Sequence, residues 1–109
     1  MLVPALIFLA VAAVIGLVLA PTILRNKLPA MHTALLHGGV AAIGLVLAIL
    51  ALRNGQGSTL AVIILVVAAL GGFFLFSFHL KDKVPPKAVV VIHALAAVVG
   101  FSFLALSAL

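Results

Sequence analysis

Only the histidines of this chain combine chemical versatility with a place deep in an apolar segment, and two of them, His37 and His93, recur in one setting. Each follows a lysine by ten residues (Lys27, Lys83) and a proline by eight (Pro29, Pro85), and each precedes a glycine by seven (Gly44, Gly100). Laying residues 1–53 over 57–109 without a gap also pairs Gly16 with Gly72, Leu24 with Leu80, Arg25 with Lys81 and Ala41 with Ala97. Rare residue types falling in register within a Leu-, Val- and Ala-rich chain point to an internal duplication of a two-helix hairpin, and make the two histidines equivalent positions. A neutral imidazole offers one N–H donor and one lone pair, so such a pair can bond helices together or grip one metal between them.

The elements that must position them are membrane helices. Hydrophobic residues make up 68% of the 109 and charged ones 6%, with a mean hydropathy of +1.59. A soluble domain carries about a quarter charged residues. The apolar runs Leu2–Ala20, Ala30–Leu52, Thr59–Leu80 and Pro86–Leu109 are each close to the roughly 20 residues that span the hydrocarbon. The fold class expected is therefore an all-α membrane protein, one domain over residues 1–109, with four transmembrane helices in two duplicated hairpins. Leu2–Ala20 is read as a helix and not a cleaved signal, since no Lys or Arg precedes it and Pro21 sits where cleavage would fall. Pro4, Pro29 and Pro86 stand near helix starts, and Asn54-Gly55-Gln56-Gly57-Ser58 makes a polar turn between the halves.

Charge sets an expected orientation. Arg25, Lys27, Lys81, Lys83 and Lys87 lie in the loops after the first and third runs, against Arg53 alone at the other side. The positive-inside rule puts those two loops in the cytoplasm and both termini outside, as in a bacterial inner membrane protein. The repeats then run parallel, so His37 and His93 lie at equal depth, roughly 12 Å along their helices by helical rise, and can face each other.

An ionisable group at that depth marks a functional site by default. Ala41 and Gly44 follow His37, and Ala97 and Gly100 follow His93, at offsets that continue one helix face, so each imidazole looks along a stripe of small side chains. A flat group could lie on such a stripe. One haem b, with His37 and His93 as axial ligands of its iron and its propionates toward Arg25, Lys27, Lys83, His32 and His79 at the basic rim, meets this pattern. Two other readings stay open: an interhelical hydrogen bond for each histidine with the glycines serving helix packing, and a different metal, for which only His32, His79 or Met31 could add ligands. His32 and His79, at helix ends, also suit loop capping or head-group contact.

A four-helix bundle with His37 and His93 on facing helices, Gly44 and Gly100 on their faces and a basic rim resembles the membrane cytochromes b of the cytochrome b561 type. The resemblance covers all four helices in architecture and rests on those four residues. It implies one-electron transfer by a single haem, with a membrane or cytoplasmic redox partner. The chain is shorter than typical members and has no histidines toward the outer half for a second haem. The alternative is a small haem-free accessory subunit of a larger membrane complex; homo-oligomerisation stays open under either.

Other classes are disfavoured. Small multidrug transporters share the length and helix count but depend on a membrane-embedded Glu in the first helix, and Leu2–Ala20 holds no acid. The single acid, Asp82, lies in a loop, which weakens proton-coupled transport. The absence of cysteine excludes disulfides, thiolate ligands and covalent haem attachment. The formal net charge of +5 does not indicate nucleic acid, because the cations sit in short loops beside lipid head groups and form no basic face.

Overall fold

A computed structural model describes residues 1–109 as four α-helices: α1 (Leu2–Leu24), α2 (Met31–Arg53), α3 (Thr59–Leu80) and α4 (Lys87–Leu106). All four are long and apolar enough to cross a membrane. The bundle measures 42 Å along its longest axis, more than the roughly 30 Å of bilayer hydrocarbon. Successive helices are antiparallel neighbours, and α1 also meets α4, which closes a ring of four. The hairpin pairs α1–α2 and α3–α4 are packed most closely, while α1–α4 and α2–α3 touch along less of their length. Only 15 residues are buried, and large side chains such as Leu17, Leu70, Phe73 and Ile92 point outward. This surface suits lipid, since an exposed shell of Leu, Ile, Val and Phe has no favourable interaction with water.

The helix ends follow from local chemistry. After α1 the chain turns through Asn26 (φ 62°), and after α3 through Asp82 (φ 57°), both in the left-handed region that Asn and Asp tolerate better than most residues. The amide of Lys27 then bonds the Thr22 carbonyl at 3.1 Å, and that of Lys83 the Phe78 carbonyl at 2.9 Å, closing each helix with the same six-residue bond. Gly55 (φ 76°) ends α2 in the same way, with Gln56 N–H on the Ala51 carbonyl at 2.9 Å. Ser58 caps α3 by accepting from the Ala61 amide at 3.1 Å.

Several boundaries differ from those read in the sequence. The first helix runs through Pro21 to Leu24 and does not stop at Ala20. Proline there forgoes the bond that an N–H at this position would give to the Leu17 carbonyl, and the helix continues past it. Pro29 lies before α2, which begins at Met31, and Pro86 is the residue preceding α4. The last helix ends at Leu106, three residues short of the apolar run.

The core is uneven along the bundle. Ala5, Leu9, Ala48, Ala61, Val62, Leu65 and Leu104 form one buried cluster near the termini and the 54–58 turn. Ala12 and Ala68 are buried beside the histidines, and beyond them toward the two basic loops only Leu19, Pro85 and Val90 are. His37 and His93 lie on that loop side of the cluster, six residues into their helices, about 9 Å of rise.

Candidate paired-histidine site

The side chains of His37 and His93 meet near the bundle axis. Their ring centroids are 6.3 Å apart, with ring planes at 83°. Each ring is held from behind by the other helix of its own hairpin. His37 Nδ1–H donates to the Ala12 carbonyl of α1 at 2.8 Å, and His93 Nδ1–H donates to the Ala68 carbonyl of α3 at 2.7 Å. A carbonyl can only accept, so each bond fixes the proton on Nδ1 and leaves Nε2 with its lone pair. Ala12 and Ala68 are buried, and stand fifty-six residues apart, as do the histidines they serve.

Glycine makes this approach possible. A Cβ at Gly16 would fall 3.1 Å from His37 Cε1, and one at Gly72 3.2 Å from His93 Cε1. Both imidazoles thus lie against helix backbone where any larger residue would hold them off.

Of the two roles open to the stripe of small residues, the contacts show helix packing at its glycines. Gly44 and Gly100 are buried against the partner helix of each hairpin. A Cβ on Gly44 would sit 2.8 Å from Leu9 Cγ, and one on Gly100 2.9 Å from Leu65 Cγ. The leucines fill the surface over both glycines, and the missing side chains let the helices approach closely there. Ala41 and Ala97, one turn beyond the histidines, are half-buried. The physical reason is that each small-residue face belongs to the seam inside a hairpin, α2 on α1 and α4 on α3, and only the imidazoles reach beyond it toward the axis.

The remaining candidates stay at the loop end. His32 is exposed in the first turn of α2; His79, in the last turn of α3, lies with its ring 5.8 Å from that of Phe76. Arg25, Lys27 and Lys83 are exposed. The two histidines have no third metal-binding side chain beside them. A tetrahedral ion is therefore poorly served by side chains alone, whereas an axial pair needs only two imidazoles. Each histidine thus has its Nδ1 anchored on a backbone carbonyl and its Nε2 without a hydrogen-bond partner.

The anchoring carbonyls of Ala12 and Ala68 escape a sequence reading because a backbone acceptor leaves no signature in residue type. The signal available was indirect: Leu9 with Leu65, Ala12 with Ala68 and Gly16 with Gly72 are all identical at the offset that relates the histidines. Comparison of the chain with protein-family models, curated proteins and solved structures finds no match.

Proposed function

We propose that this chain is an integral membrane b-type haem protein that moves one electron within or beside the membrane, with His37 and His93 as axial ligands. The observation that carries the reading is the pair of imidazoles 6.3 Å apart, each with Nδ1 bonded to a backbone carbonyl. That bond orients the ring, keeps the proton off Nε2 and raises the basicity of the ligand nitrogen. Bound haem would supply a one-electron couple at its iron. The chain's own part is to present two lone pairs from opposite helices in apolar surroundings and to place cations at one edge. Arg25, Lys27 and Lys83, with His32 and His79, are the residues for the propionates.

The fold argument behind this reading is a duplicated hairpin, supported by the equivalent hydrogen bonds, glycine contacts and left-handed turns found fifty-six residues apart. The bundle spans a bacterial inner membrane with both termini outside and the basic loops in the cytoplasm, in keeping with five Lys/Arg at one end against Arg53 at the other. The architecture resembles a reduced cytochrome b561. The test is a dithionite-reduced minus oxidised visible spectrum of protein purified from cells supplied with haem precursor. Sharp low-spin bands that disappear in His37→Ala and in His93→Ala support the proposal; a featureless wild-type spectrum, with no binding of added hemin, refutes it.

A second reading has its own observation. The two histidine–carbonyl bonds tie α2 to α1 and α4 to α3 without any metal, as expected of a haem-free accessory subunit in a larger membrane complex. The same spectrum separates the two.

A further inference from the structure

We propose that Gly16 and Gly72 are positioning residues that decide which ring nitrogen of His37 and His93 carries the proton. In an α-helix the carbonyl of residue i points toward residue i+4, so the side chain at position 16 stands beside the Ala12 carbonyl and that at 72 beside the Ala68 carbonyl. Both positions are glycine, and both imidazoles occupy the vacated space. The nearest ring atom to a Cβ at position 16 is His37 Cε1 at 3.1 Å, followed by Nδ1 at 3.5 Å. At position 72 the order is the same, Cε1 at 3.2 Å and Nδ1 at 3.8 Å. A methyl group at either site therefore pushes on the ring edge that forms the 2.8 Å or 2.7 Å bond.

The partner of such a Cβ is an imidazole held inside the hairpin seam. Relief comes from withdrawing the ring by a few tenths of an ångström, which stretches and misaligns its bond to the carbonyl. With that acceptor weakened, Nε2 is no longer reserved for a lone pair, and the proton is freer to move to it. The two glycines thus control ligand readiness without being ligands themselves. Gly38 and Gly39, on the same helix as His37, show the contrast: a Cβ on either meets nothing within 4 Å.

The tautomer lock is a property of the protein without cofactor; only its consequence for haem rests on the function proposed above. The experiment uses the full chain, labelled with 15N-histidine and purified in detergent without haem, and reads the ring nitrogens by two-bond 1H–15N correlation at alkaline pH, where the imidazoles are neutral. Wild-type His37 and His93 should both show a protonated Nδ1 and an unprotonated Nε2. Gly16→Ala should remove that pattern from His37 and leave it on His93; Gly72→Ala should do the reverse, and Gly38→Ala should change neither. A wild-type His37 or His93 protonated on Nε2 overturns the proposal, as does an alanine variant that keeps its histidine locked. If Gly16→Ala fails to fold, adding His37→Ala should restore a monodisperse protein, because the atom being struck is gone; failure of that rescue also overturns it. Hemin titration of the same samples separates the two ideas. Affinity about 10- to 100-fold weaker in Gly16→Ala is the expected consequence for a ligand that has lost its orienting bond, whereas locked tautomers in a protein that never binds hemin would refute the haem function alone.

Discussion

Gly44 and Gly100 occupy equivalent places in the two hairpins, yet alanine at each should have different consequences. A Cβ on Gly44 meets Leu9 Cγ at 2.8 Å, Leu9 Cδ2 at 2.9 Å and the Leu9 backbone nitrogen at 3.1 Å. Rotating the leucine relieves the first two contacts, but the third is relieved only by moving α1 away from α2. On Gly100 the three nearest atoms are Leu65 Cδ2 and Cγ at 2.9 Å and Ile64 Cγ2 at 3.2 Å, all in side chains that can shift. Overpacking a close contact costs about 1–3 kcal/mol, and alanine recovers about 1 kcal/mol over glycine inside a helix. With the upper cost at the backbone contact and the lower at the side-chain contact, Gly44→Ala should lose about 2 kcal/mol net and Gly100→Ala should be nearly neutral. Reversible SDS titration of the purified protein in mixed micelles, followed by far-UV circular dichroism, measures both. Gly38→Ala, made in open space, supplies the reference for helix propensity alone. A Gly44→Ala protein as stable as the Gly38→Ala protein would refute the close α1–α2 seam. Leucine at Gly44 should break up the bundle before it affects any cofactor, with haem loss tracking unfolding.

Further outcomes follow from other parts of the molecule. His32→Ala and His79→Ala should leave the low-spin spectrum of the wild type unchanged, because neither joins the axial pair; loss of the bands in either variant would show that the ligands are misassigned. Asp82→Gly should stabilise the protein by up to about 1–2 kcal/mol by removing a side chain from the left-handed region, read as a higher SDS midpoint. Ser58→Ala should cost about 0.5–2 kcal/mol through loss of the cap on the Ala61 amide, read in the same titration. A reporter fused after Leu109 should behave as extracytoplasmic; cytoplasmic activity would invert the proposed orientation and carry the histidine pair to the outer half.

The four helices are legible in the residues because length and apolarity alone require them: runs near 20 residues with few charges can bury their backbone polar groups only as helices. Their ends are less so. The first apolar run breaks at Pro21, yet α1 continues to Leu24, and the turn is made by Asn26 in a left-handed conformation that composition does not announce.

The regular recurrence of Lys, Pro, His and Gly singles out His37 and His93 before any coordinates; in the parallel repeats proposed above such positions share a depth. Depth leaves direction open. Which way each small-residue face turns depends on which helix packs closest, and that is a tertiary choice: Leu9 and Leu65 settle on Gly44 and Gly100 and close the hairpin seams, while the two imidazoles meet each other. The proton positions belong to that same level. They depend on Ala12 and Ala68 presenting carbonyls that any residue could present, at places that only the packing of two helices brings within hydrogen-bond distance. Side-chain chemistry and period were thus determined by the sequence by itself, while tautomer, ring separation and the role of each glycine came from helix contact, because these depend on distances between segments twenty-five or more residues apart.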